Sequence, residues 1–130
     1  MTDKARPSVG SIVWMDLTVP DAAKVRQFYS EVVGWRPEPV GMGDYSDFNM
    51  CSPEDGASAA GVCHARGNNV DLPAQWLIYI VVRDLDESMR RCAAGGGKLI
   101  AGPKPLGEQG RYCVIQDPAG AVAALVETRG

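Results

Sequence analysis

The 130-residue sequence contains one histidine, no CxxC pair among its four cysteines and no Lys/Arg run longer than two residues. The net charge is -3, so the basic surface that nucleic-acid binding requires is missing. The longest apolar run, Trp76 to Val82, has seven residues and is far too short to span a membrane. We therefore expect neither a nucleic acid nor a membrane as partner.

The N-terminal residues MTDKARPSVG contain no apolar segment of the kind found in secretory signals. We therefore expect a cytoplasmic protein in which the four cysteines remain reduced thiols. Hydrophobic residues make up 45% of the chain and charged residues 22%, which is typical of a folded globular protein. The length suits one domain, or two small modules that share a core.

An internal repeat becomes visible when the chain is compared with itself at an offset of 63 residues. Val19-Pro-Asp21 then falls on Val82-Arg-Asp84, and Gly34 falls on Gly97. Each half begins with a β-rich run that ends at an aspartate able to cap a helix. The apolar spacing that follows in each half is helical, and glycines end both helices.

Three further strands are predicted in each half. The predicted strands cover residues 11–19, 35–39, 45–51 and 58–64, and then 75–82, 98–101, 111–116 and 121–127. The chain thus reads as one domain, residues 1–130, made of two βαβββ modules at about 9–66 and 74–128. We predict an α+β fold in which the two tandem modules form a curved mixed sheet around a cup-shaped cleft. Such a cleft is a natural site for a small ligand.

Several motifs resemble the vicinal oxygen chelate superfamily, which includes glyoxalase I, bleomycin-resistance proteins and extradiol dioxygenases. The first half carries Trp14-x-Asp-Leu-x-Val-Pro-Asp21, then Phe28-Tyr29 and Gly34-Trp35. The second half carries Trp76-Leu-x-Tyr79 and Asp117-Pro-x-Gly120-Ala, similar to a bacterial branch often labelled glyoxalase-like or hydroxylase. The resemblance covers residues 9 to 128. It implies the fold strongly, but one fold hosts many reactions.

Metal-dependent members of this superfamily bind a divalent cation, and the resemblance implies four ligand positions. These positions fall on residues whose side chains offer a metal no lone pairs: Trp14, Gly61, Leu77 and Ala124. His64 follows Gly61 by three residues on the same predicted strand, so we expect it to face away from the cup. We therefore predict no metal and no other cofactor.

Period-two alternation suggests which side chains line the cup. If Trp14 points inward, Asp16 does too, and Gln75, Leu77 and Tyr79 share the inward face of the matching strand. A carboxylate among apolar neighbours is partly desolvated, so Asp16 is a candidate general base or ligand for a cation. Tyr79 is a candidate acid. Equally, Asp16 could serve only to hold the sheets together, and Tyr79 could be a packed ring.

The remaining candidate ligand-binding residues are Trp14, Phe48, Met50, Gln75, Leu77 and Arg111. Phe48 and Met50 share one strand face, and alternation alone does not say whether it is the pocket face or the helix face. The stretch 102–110 is predicted as a glycine-bounded loop that could bring Lys104, Glu108 or Arg111 to a ligand, or could be a plain surface connection.

Three functions remain possible at this point. The favoured one is a protein that binds a small, apolar or planar molecule in its cleft without a divalent metal. The second is a metal-independent isomerase, epimerase or cyclase that uses Asp16 as acid/base. The third, a metal-dependent lyase or dioxygenase, is disfavoured by the side chains at the ligand positions. Whether the protein is an enzyme is left open. The superfamily resemblance also implies a homodimer.

Overall fold

A computed structural model describes residues 7–106 and 110–128. These residues form two helices and eight strands, which confirms the α+β class and the repeated βαβββ order. The elements are β1 (Ile12–Val19), α1 (Ala22–Val33), β2 (Arg36–Gly41), β3 (Ser46–Cys51), β4 (Ser58–His64), β5 (Trp76–Val81), α2 (Leu85–Ala94), β6 (Lys98–Pro105), β7 (Gly110–Gln116) and β8 (Val122–Thr128).

The chain divides into two compact units. The first unit runs from Trp14 to Trp76, and the second combines the described residues before Trp14 with those from Leu77 onward. The predicted linker between the modules contains a short 3-10 turn at Gly67–Asn69. Among the helices in the described parts of the chain, none is long and apolar enough to cross a membrane.

The first unit contains a four-stranded mixed sheet in the order β2-β3-β4-β1, in which β1 and β4 are parallel. Helix α1 begins where the Asp21 carboxylate accepts the backbone N–H of Lys24 at 3.1 Å. The helix packs Val25 and Tyr29 against a core that includes Leu17, Met50 and Val62. Phe28 and Val32 of the same helix are exposed, so only some of its large apolar side chains are buried.

The second unit repeats this arrangement with the order β5-β8-β7-β6, in which β5 and β8 are parallel. Asp84 caps α2 by accepting the backbone N–H of Glu87 at 3.1 Å. The core on the helix side contains Leu85, Cys113 and Leu125. The aspartate that ends the first strand of each half therefore caps the following helix in both units, as the repeat predicts.

Strand register confirms the repeat residue by residue. In the first unit Asp16 lies opposite Gly61, and in the second Tyr79 lies opposite Ala124. The second pair lies 63 residues after the first, which is the offset found by self-comparison. The sequence repeat thus reflects an equivalent hydrogen-bonded position in each sheet.

The prediction of a loop at 102–110 is wrong for residues 102–105, because these residues belong to β6, which continues to Pro105. Lys104 pairs with Tyr112 and Pro105 with Arg111, after register shifts along the strand. Proline cannot donate a ladder hydrogen bond, but β6 is at the edge of its sheet, where that loss is tolerated. Glu108 lies outside the described residues.

Gly34 should be sensitive to substitution because it ends α1 with a φ of 88°. In Gly34→Ala the added Cβ meets no atom closer than 3.8 Å, so the cost comes from the backbone conformation alone. We expect a loss of about 1–2 kcal/mol in the free energy of unfolding, measured by urea denaturation, and a smaller loss for Gly34→Asn.

Gly41→Ala is the matched control, since its Cβ would likewise meet nothing closer than 3.8 Å and the φ of Gly41 is not positive. Equal losses in Gly34→Ala and Gly41→Ala would show that the left-handed turn does not determine the cost.

Candidate functional site

A cleft of about 250 Å³ lies on the first unit. It is formed by side chains of β1, β3 and β4 together with residues at the end of β2. The lining residues are Trp14, Asp16, Val40, Met42, Asp47, Phe48, Asn49, Gly61 and Cys63.

The register of the sheet explains why these residues meet. Asn49 of β3 and Asp16 of β1 both pair with Gly61 of β4, so the three form one row across the sheet. The next row, Leu17, Val62 and Phe48, belongs to the core beneath α1. Because successive side chains alternate between faces, the row containing Asp16 lies on the face away from the helix.

Gly61 leaves room that the side chain of Trp14 occupies. A Cβ built on Gly61 would lie 3.2 Å from the Asp16 Cβ and 3.6 Å from Cζ2 of the Trp14 indole. The indole therefore covers the backbone of β4 at a position where the superfamily resemblance implies a metal ligand. A Cβ at position 61 would require the Asp16 side chain to shift by a few tenths of an ångström and would be in van der Waals contact with the indole.

These residues do not fit a divalent cation. In the first unit the implied ligand positions are an indole and a glycine, and in the second unit they are Leu77 and Ala124, both fully buried. Neither pair supplies an imidazole, a carboxylate or a thiolate. In the parts of the chain that the structure describes, no group of three or more His, Cys, Asp or Glu side chains could hold a metal ion.

Asp47 is a buried carboxylate in the cleft that the sequence analysis missed. It is 8% exposed and accepts the backbone N–H of His64 at 2.9 Å. The sequence did indicate which face Asp47 is on: Asp47 and Asn49 are two residues apart on β3, and side chains two apart on a strand point to the same face. That signal is meaningful only once the register places Asn49 beside Gly61.

Cys63 is a half-buried thiol of the cleft lining that interacts with two carboxylates. Burial raises the pKa of Cys63 well above its usual value, and the charges of Asp16 and Asp47 and a hydrogen bond to Asp47 raise it further. The sulfur is consequently a protonated thiol at neutral pH and a poor nucleophile.

His64 does not line the cleft, in agreement with its predicted orientation. Its ring lies 6.3 Å from the Phe48 ring and 5.4 Å from the Tyr45 ring, measured between centroids. Its Nδ1 is 3.5 Å from the Asp47 carboxylate.

The other residues predicted to bind a ligand lie in different parts of the structure. Met50 is fully buried in the core beneath α1 and does not line the cleft, whereas Phe48 belongs to that core and also reaches the cleft. The guanidinium of Arg111 lies 3.4 Å from both Asp86 and Glu127. Gln75 is half-buried in the first unit.

Tyr79 belongs to the second unit, where it is half-buried. Its ring centroid lies 6.1 Å from that of Tyr112. Tyr79 occupies the register position equivalent to that of Asp16, opposite Ala124. The two predicted catalytic residues are therefore equivalent positions of a repeat, one on each unit.

Comparison with known proteins identifies the family. The model described as Glyoxalase/Bleomycin resistance protein/Dioxygenase superfamily matches residues 11–125. The chain therefore belongs to this superfamily, which confirms the resemblance drawn from its motifs.

Two curated relatives are 32% identical to this chain and are matched over 89% of it. They are a putative glyoxylase, CFP32, of Mycobacterium tuberculosis and the anthracycline biosynthesis protein DnrV of Streptomyces peucetius. The chain spans about half the length of these relatives, 45% and 46% respectively.

Among solved structures, methylmalonyl-CoA epimerase from Mycobacterium tuberculosis matches with a TM-score of 0.57 and 18% identity. The match covers 98% of this chain and 94% of that one. At this identity the likeness shows the fold alone.

The electrostatic environment of Cys63 predicts slow alkylation. We expect iodoacetamide at pH 8 to modify Cys63 more than about 100-fold more slowly than it modifies glutathione, because little thiolate is present. Peptide mass spectrometry gives the rate at each cysteine.

Asp16→Asn removes one of the charges that raise the pKa of Cys63 and should therefore accelerate this alkylation. Protein unfolded in urea should react at the rate of glutathione. Rapid alkylation of folded wild-type Cys63, or no response to Asp16→Asn, would contradict the assigned environment.

Proposed function

We propose that this protein binds a small, largely apolar or planar molecule, without a divalent metal, in the cleft lined by Trp14, Asp16 and Phe48, which we call the Trp14 cleft. The observation that carries this proposal is the indole of Trp14 lying over Gly61, at a position where the superfamily resemblance implies a metal ligand. An aromatic surface at that point offers stacking instead of coordination.

The cleft has the size and lining that such a ligand needs. Four of its side chains, Trp14, Val40, Met42 and Phe48, are apolar, and about 250 Å³ suits a molecule of bicyclic size. Val40 and Met42 are each 46% exposed, so a ligand would remove apolar surface from water. Burial of that surface favours binding by about 25 cal/mol per Å².

The name of one curated relative is compatible with this proposal. DnrV is named as an anthracycline biosynthesis protein, and anthracyclines are planar polycyclic compounds. The chain spans about half the length of DnrV. The ligand of this chain, and any pathway to which it belongs, are therefore part of the proposal.

A metal-independent isomerase, epimerase or cyclase is the second candidate function. It is favoured by the carboxylate of Asp16, which lines the cleft beside the apolar wall and could remove a proton from a carbonyl compound. A panel of α-substituted ketones in D₂O tests this candidate. Loss of the α-proton NMR signal with wild-type protein, but not with Asp16→Asn, would support catalysis over binding alone.

The aromatic wall predicts a direct binding result with 2-naphthalenemethanol, a neutral bicyclic probe. We expect wild-type protein to bind it in isothermal titration calorimetry and Trp14→Leu to bind about tenfold more weakly, because the stacking surface is lost. Phe28→Leu is the control, since Phe28 is 55% exposed on α1 and outside the cleft lining. Equal affinity of the Trp14→Leu and Phe28→Leu variants would contradict the proposal, as would no binding by the wild type.

Metal independence predicts that EDTA treatment leaves the affinity for this probe unchanged. Elemental analysis of the purified protein should find zinc, nickel, iron and manganese well below one equivalent per chain, since the ligand positions lack donors. One equivalent of any of these metals that is lost in EDTA together with probe binding would contradict the proposal.

A further inference from the structure

We infer that the Trp14 cleft selects ligands that carry a protonated amine beside their apolar part and rejects carboxylates and phosphates. This inference rests on the proposed function, because it specifies the ligand of the same cleft. It concerns the sign of the charge that the cleft presents.

The charged side chains that line the cleft are of one sign. Asp16 and Asp47 are carboxylates, and none of the nine described lining residues is lysine, arginine or histidine. Glu38 pairs with Asn49 on the neighbouring strand and extends the same row. Three carboxylates therefore occupy one face of this sheet.

The two lining carboxylates act on the same small volume. Both interact with the Cys63 thiol of the same lining and raise its pKa, and Asp47 also accepts a hydrogen bond from it. A ligand group that reached this thiol would therefore experience both charges at close range, in surroundings that weaken screening by water.

Two neutral donors of the lining, the Asn49 amide and the Cys63 thiol, are engaged by the protein. The Asn49 amide nitrogen donates to the Ser58 hydroxyl at 2.8 Å and lies 3.5 Å from a Glu38 carboxylate oxygen. The Cys63 thiol hydrogen-bonds to Asp47. An anionic ligand would have to displace these contacts in addition to meeting two like charges.

Among the contacts that the structure describes, two basic side chains lie against lining residues without lining the cleft themselves. The Arg26 guanidinium carbon lies 4.8 Å from the Phe48 ring centroid, and His64 Nδ1 lies 3.5 Å from Asp47. Arg26 belongs to α1, and His64 follows the core residue Val62 by two positions on β4, so both lie on the helix face of the sheet. The cleft itself therefore favours cations.

A charge series built on one ring system tests this inference. The probes are 2-naphthylmethylamine, which is a cation at pH 7, the neutral 2-naphthalenemethanol and the anion 2-naphthylacetate. We expect calorimetry at low ionic strength to show the amine binding about tenfold more tightly than the alcohol, and the carboxylate not binding measurably. Half-molar salt should reduce the difference in binding affinity between the amine and the alcohol, because salt screens the charges.

Two variants separate charge from shape. Asp16→Asn should reduce the preference for the amine over the alcohol several-fold, measured as the ratio of the two dissociation constants. Met42→Lys adds a cation at a lining residue that is 46% exposed, so it should weaken amine binding and permit carboxylate binding. Met42→Gln is its matched control and should preserve the order of the three probes.

The outcomes distinguish this inference from the function on which it rests. Suppose that the amine and the alcohol bind with equal affinity, that Trp14→Leu weakens both, and that Asp16→Asn changes neither affinity. The proposed charge selectivity is then wrong, and the proposed binding function stands. If the carboxylate binds most tightly, the inference is overturned. If none of the probes binds, the proposed function fails, and the inference fails with it.

Discussion

The parallel pairing of β1 with β4 places Asp16 opposite Gly61, and every feature of the cleft depends on that register. Side chains alternate along a strand, so a slip of one residue would turn Asp16 toward the helix and Leu17 away from it. The register is held because Leu17 and Val62 are buried together beneath α1. Hydrophobic packing on one face thus determines which polar groups appear on the other.

The substitution of small and aromatic residues at the ligand positions has consequences for the whole site. An indole over Gly61 replaces a coordinating side chain with a flat apolar surface. In the proposed metal-free cleft, Asp16 and Asp47 carry the charges of the lining, and their negative potential helps to keep the Cys63 thiol protonated. The residues at the ligand positions therefore favour the stacking ligand that we propose over a divalent cation.

The features that come from local sequence were predictable. The repeat, the two aspartate caps and the glycine at the end of α1 depend on neighbouring residues, and the structure confirms each of them. The extension of β6 to Pro105 was missed because prolines usually end strands, and only its place at the sheet edge permits them. Asp47 was missed because its role depends on which strand lies beside β3. Likewise, Met50 could be assigned to the core only once the helix was in place.

The most direct test of the central claim is an NMR measurement on EDTA-treated protein with bound 2-naphthalenemethanol. We predict intermolecular NOEs from the naphthalene ring to the Trp14 indole and to the Met42 methyl group. NOEs confined to residues outside the cleft, or contacts that appear only after a divalent metal is added, would contradict it.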